Sequence, residues 1–150
     1  MNISVSSRVL AVVALAASLA ALPAAAQQVK VVSGVVVNMG ITSALDAEHV
    51  DAQHGVHKGG HGSGMEHVIV SLAEDQGGAR IADADVTIEV KTPNGKWQKK
   101  PAMAMVTAGF PDYSEVFNFG WSGSYLVRVM IKRKAAARPV EAVFTVRRAI

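Results

Sequence analysis

Alternation with a period of two governs most of the chain beyond residue 27. Val86, Ile88 and Val90 face one way while Asp85, Thr87 and Glu89 face the other. Val68, Val70 and Leu72 alternate with His67, Ile69 and Ser71 in the same manner. Tyr125, Val127, Val129 and Ile131 share a face, as do Val140, Ala142, Phe144 and Val146. Val29, Val31, Val35 and Val37 read as one further strand, Val29 to Val37. An extended chain sends successive side chains to opposite sides, so this pattern belongs to half-buried strands. Lys96 to Lys100 reads as a short edge strand, Met103 to Val106 as extended, and Ser114 to Phe119 as a strand.

Turn signals separate these segments. They are Asp75-Gln76-Gly77-Gly78, Thr92-Pro93-Asn94-Gly95, Gly109-Phe110-Pro111-Asp112, Gly120-Trp121-Ser122-Gly123 and the stretch Lys132 to Pro139. Proline presets one turn dihedral and Asn-Gly tolerates positive φ. No amphipathic helix interrupts the series. The pattern predicts an all-β, antiparallel sandwich of about seven strands, with a small barrel as the rival architecture. Phe117, Phe119, Tyr125 and Phe144 are expected in the core, and Trp97 and Trp121 at its edges.

The first 26 residues stand apart. Arg8 precedes an apolar run from Val9 to Leu22, Pro23 breaks it, and Ala24-Ala25-Ala26 supplies small residues. This is the plan of a cleaved secretory signal peptide, cut before Gln27, on a run short for a membrane span. The expected organisation is therefore a signal peptide over 1–26 and one sandwich domain over 27–150, with a periplasmic location. Without Arg8, the 15 basic side chains fall to 14 against 12 acidic ones. A near-balanced exported chain is a poor nucleic-acid binder. The absence of cysteine removes disulfides, thiolate metal sites and blue-copper centres from consideration.

Asn38 to Gly64 breaks the alternation and reads as irregular, with a Gly/His-rich loop at 49–64. All five histidines, His49, His54, His57, His61 and His67, fall between positions 49 and 67. Neutral imidazole is the commonest metal-binding side chain, and interleaved glycines let several rings converge. Met65 flanks His67, and Met103 and Met105 share a face if their segment is extended. Thioethers are soft ligands that favour Cu(I) and imidazole accepts either copper state, so copper is the expected ion, with iron or zinc behind it. The metal candidates are thus His49, His54, His57, His61, Met65, His67, Met103 and Met105. His67 leads because it opens a strand. The bland readings are a solvated loop, a surface histidine and methionines that fill the core.

Met65-Glu66-His67-Val68-Ile69-Val70-Ser71-Leu72, Ala79-Arg80-Ile81-Ala82-Asp83-Ala84-Asp85-Val86 and Gly120-Trp121-Ser122-Gly123-Ser124-Tyr125 resemble small periplasmic immunoglobulin-like proteins of metal handling. The YtkA-like and copper-resistance-associated group is the nearer type. Lys100-Pro101-Ala102-Met103-Ala104-Met105 with Gly109-Phe110-Pro111-Asp112-Tyr113 resembles the Met-containing edge of periplasmic iron-transport-associated proteins. The likeness runs from Met65 to about Val146. It implies an immunoglobulin-like fold, His67 with Met103 or Met105 as ligands, and a carrier or accessory role beside a membrane metal transporter or a metalloprotein acceptor.

Catalytic signatures are missing: there is no nucleophile elbow, HExxH or phosphate loop. The chain is therefore not expected to be an enzyme. The alternative function is a metal-free interaction module of an exported or membrane-associated complex, with an edge-strand dimer as one possible assembly.

Overall fold

The computed structural model describes residues 27–44, 64–107, 109–134 and 136–149. The expected signal peptide, His49, His54, His57 and His61 lie outside the described residues.

Among the described residues there are nine strands: β1 (Gln28–Val32), β2 (Val35–Ser43), β3 (Met65–Glu74), β4 (Ala84–Lys91), β5 (Trp97–Pro101), β6 (Met103–Thr107), β7 (Phe110–Asn118), β8 (Gly123–Arg133) and β9 (Val140–Arg148). They form two antiparallel sheets, β1-β2-β3-β7-β6 and β5-β4-β8-β9. The architecture is the expected sandwich rather than a barrel.

Three local expectations are corrected. The valine-rich run from Val29 to Val37 is a hairpin. Ser33 and Gly34 both adopt positive φ (49° and 78°), the two-residue turn whose twist suits paired strands. Val29 and Val31 therefore leave the core for the exposed face of an edge strand. Second, the irregular stretch begins later than Asn38. β2 continues to Ser43, pairing Thr42 with His67 and Ser43 with Glu66, because β3 supplies a full ladder of partners. Third, Gly109 alone among Gly109–Asp112 belongs to the turn. Phe110, Pro111 and Asp112 already pair with β6. Pro111 is tolerated there although it has no N–H to donate.

The core lies between the sheets. Val35, Val37, Met39 and Ile41 of β2 and Val68, Val70 and Leu72 of β3 meet Val86, Ile88 and Val90 of β4 and Val127, Val129 and Ile131 of β8. Tyr113, Phe117, Phe119, Tyr125 and Phe144 are its largest fully buried side chains. Each such burial contributes about 1.5–3 kcal/mol against conformational entropy.

Side chains close the two flanks. On one, Gln28 Nε2 donates to Thr145 O at 2.9 Å and the Lys30 ammonium lies over Phe144. On the other, β6 stops short of the end of β7. The freed backbone of β7 is met by Gln98, whose amide pairs twice with Asn118 at 3.1 Å, and by Lys100 Nζ, which donates to Val116 O at 2.6 Å.

Candidate metal centre

Register puts Met65, His67, Met103 and Met105 on the outer face of the five-stranded sheet. Val68, Val70 and Leu72 point into the core, so Met65, His67 and Ile69 point away from it. His67 lies between Thr42 of β2 and Val116 of β7. Directly opposite residues share a face, so Met103 shares the outer face with its partner Ser114, and Met105 with Asp112. Met103 is therefore not a core filler, and is 46% exposed.

His67 is only 6% exposed despite its outward direction. A buried imidazole needs polar partners, and Ser114 Oγ lies 3.1 Å from Nδ1. In the tautomer with the proton on Nδ1, His67 donates to Ser114 and Nε2 keeps its lone pair. That is the arrangement by which metal-ligating histidines are commonly oriented. Ser114 was not singled out from the sequence. Its place emerges only from the pairing of β3 with β7.

The donors can be ranked by sheet geometry. Met65 is two residues from His67 on the same face, about 7 Å along the strand. Met103 is across β7 and two positions along, giving a Cα separation of about 12 Å at ordinary strand spacing. Met105, four positions along, is about 16 Å away by the same reckoning. Two side chains sharing an ion span at most about 12–13 Å between Cα atoms. Met65 is thus within reach of His67, Met103 lies at the limit of reach, and Met105 lies beyond it. Among the described residues, no three His, Cys, Asp or Glu side chains gather as a metal site. The described donor set is one imidazole with thioethers.

Ser43 and Gly64 are both held at this end of the sheet. Ser43 pairs with Glu66 across β2 and β3. Gly64 has φ +87°, and its carbonyl accepts from Phe119 N at 2.7 Å. Adjacent Glu66 faces the other way, is buried, and pairs with Arg148 of β9, tying the two sheets together. It serves as an inter-sheet clasp rather than part of the outer face.

Fold and face together define the class: a two-sheet antiparallel sandwich with a histidine–thioether surface on the outer face of its five-stranded sheet. Among solved structures, the chain is similar to "as isolated" FetP of uropathogenic E. coli strain F11, recombinantly expressed in the periplasm. The TM-score is 0.63 at 14% identity, over 81% of this chain and 93% of that one. It is also similar to a DUF4426 family protein of Pseudomonas aeruginosa PAO1, with TM-score 0.61, 15% identity and coverage of 83% and 94%. Copper-reconstituted P19 of Campylobacter jejuni matches with TM-score 0.59, 12% identity and coverage of 80% and 92%. At these identities the likeness shows a common fold, and at that level it meets the resemblance read from Met65 to Val146. No family model and no curated protein matches the chain.

Proposed function

We infer that the domain is an exported, periplasmic metal-binding protein that takes copper as cargo, with iron as the second candidate. It acts as a carrier or accessory factor that passes the ion to a membrane transporter or a metalloprotein acceptor, and it is not an enzyme. The observation that carries this reading is His67. Its ring is held through Nδ1 by Ser114, with Met65 and Met103 on the same face. A neutral imidazole among thioethers is a soft set that suits Cu(I), and the loop histidines His49, His54, His57 and His61 are the natural source of further ligands. Support from outside the chain comes from fold neighbours solved with copper, FetP and P19.

The test is titration of the purified protein with Cu(I), Cu(II) and Zn(II), alongside His67→Ala and Met103→Ala. Wild type should bind Cu(I) most tightly, His67→Ala should lose most of that affinity, and Met103→Ala should weaken Cu(I) more than Zn(II). Equal binding by wild type and His67→Ala would overturn the assignment of the centre to this face.

A further inference from the structure

Charge is unevenly divided between the two ends of the sandwich. Strand direction sorts the residues. β3 begins where β4 and β7 end, and Gly123, at the start of β8, packs against Pro93 there. Glu74, Asp75, Asp83, Asp85, Asp112 and Glu141 all lie in the opposite half. The other carboxylates among the described residues are paired: Glu66 with Arg148, Glu89 with Lys99 and Arg128, and Glu115 with Lys100. Lys91, Lys96 and Arg147 are thereby left at the first end, exposed and, among the described residues, in no ion pair.

The same end carries both tryptophans of the chain. Trp121 stands in the turn before β8 and is 43% exposed, and Trp97, at the start of β5, is 45% exposed. Trp97 pairs with Lys91 and Lys91 with Leu126, so the three share the outer face of the four-stranded sheet. Arg147 lies on that face opposite Ser124, two residues nearer the turn than Leu126. Lys96 sits in the neighbouring turn, which Thr92 N closes onto Lys96 O at 2.8 Å. The Lys91 ammonium stands 5.7 Å from the Trp97 ring. An indole half in water beside an uncommitted cation matches a lipid headgroup layer, where the ring settles at the boundary and the charge meets phosphate.

We propose that this end of the domain docks on an anionic phospholipid bilayer. Trp97 and Trp121 enter the headgroup layer, and Lys91, Lys96 and Arg147 meet the lipid phosphates. Charge complementarity selects this occupant, since every carboxylate of this half among the described residues is already paired. A protein partner fits less well. Protein interfaces are depleted in lysine, whereas long flexible ammonium side chains suit a fluid array of phosphates. The inference does not depend on the metal reading, and its test is run without metal.

The experiment uses the metal-free chain from Gln27 onward, which holds both sheets, and protein-free vesicles. The protein should co-sediment with vesicles of phosphatidylglycerol mixed with phosphatidylcholine, and its tryptophan emission should move to shorter wavelength. Vesicles of phosphatidylcholine alone should do neither, and binding should fall as salt rises. Each cation near an anionic surface strengthens binding about fivefold, so Lys96→Gln with Arg147→Gln should bind about 25-fold more weakly. Trp121→Ser should lose part of the emission shift. Lys132→Gln with Lys134→Gln removes the same charge from the opposite end and should bind like wild type. All four of these cations are exposed and in no ion pair among the described residues, so the fold is not at stake. No co-sedimentation, equal binding to phosphatidylcholine alone, or a loss in the Lys132 and Lys134 variant as large as in the Lys96 and Arg147 variant would each overturn the proposal. Binding to protein-bearing membranes but not to vesicles of their extracted lipids would mark a protein receptor and overturn it equally.

Discussion

Removing a single oxygen at Tyr125 should cost this domain a measurable share of its stability. The Tyr125 hydroxyl accepts from Trp121 N and donates to Trp121 O, both at 2.9 Å. It therefore clasps the Gly120–Gly123 turn to the strand that follows, while the ring packs on Phe119 with centroids 4.7 Å apart. Tyr125→Phe keeps the ring and deletes both bonds. Each bond contributes about 0.5–1.5 kcal/mol net, and the orphaned backbone groups are only partly reached by water, so the loss is about 2 kcal/mol. For a domain of about 120 residues, 1 kcal/mol corresponds to about 4 °C in Tm, so the midpoint should fall by about 8 °C. Thermal melting followed by circular dichroism measures the midpoint and urea denaturation the free-energy loss, and the m-value should not change. The internal control is Tyr113→Phe, whose hydroxyl accepts one bond, from Ala84 N at 3.0 Å, and which should lose about 1 kcal/mol. A Tyr125→Phe loss below about 0.5 kcal/mol, or one no larger than that of Tyr113→Phe, would refute the clasp.

Three further outcomes are expected. Gly64→Ala should destabilise by about 2–3 kcal/mol in the same denaturation assay. The reason is that φ is +87° and the new Cβ would sit 2.7 Å from Gly120 Cα. Ser114→Ala should weaken Cu(I) affinity about 10- to 100-fold in a competition titration, because it removes the hydrogen bond that orients the ring through Nδ1. Glu89 gives a pH dependence. Its hydrogen bond to Lys99 comes first, and together with Arg128 it outweighs burial to hold the carboxyl below its ordinary value of 4.5. A depressed carboxylate contributes stability that is fully present above the unfolded value and lost as pH falls through the folded one. Glu89→Gln should therefore cost no more than about 1 kcal/mol at neutral pH, and the difference from wild type should shrink below pH ~4 in pH-dependent melting curves.

The expected strands that proved right share a property: the face each side chain takes was implied by their own alternation. Val86, Ile88 and Val90 had to face a core whatever lay across from them, and the same holds for Tyr125 to Ile131. Thr92-Pro93-Asn94-Gly95 was legible because the dipeptide chemistry is local, and the turn closes through Gly95 N to Thr92 O at 2.9 Å. Val29 to Val37 misled because valine favours strands on either face, and only the pairing with β2 shows that Ser33-Gly34 folds the chain back. Asn38 to Ser43 was missed for the opposite reason. Gly40 and the polar outer residues dilute the alternation, although Met39 and Ile41 keep it on the inner face.

At the candidate centre, chemistry was local and proximity was not. Histidine and methionine side chains announce their ligand character wherever they stand, so His67, Met65 and Met103 could be singled out from the order of residues alone. Ser114 could not be, since serine is an ordinary surface residue until something stands beside it. Its place beside His67, 47 residues away in the chain, is set by the register of β3 against β7. A period of two determines which face a side chain takes, because the extended backbone alternates by itself. Which residues meet on that face is decided by hydrogen-bond pairing between distant strands, and that is a property of the folded chain.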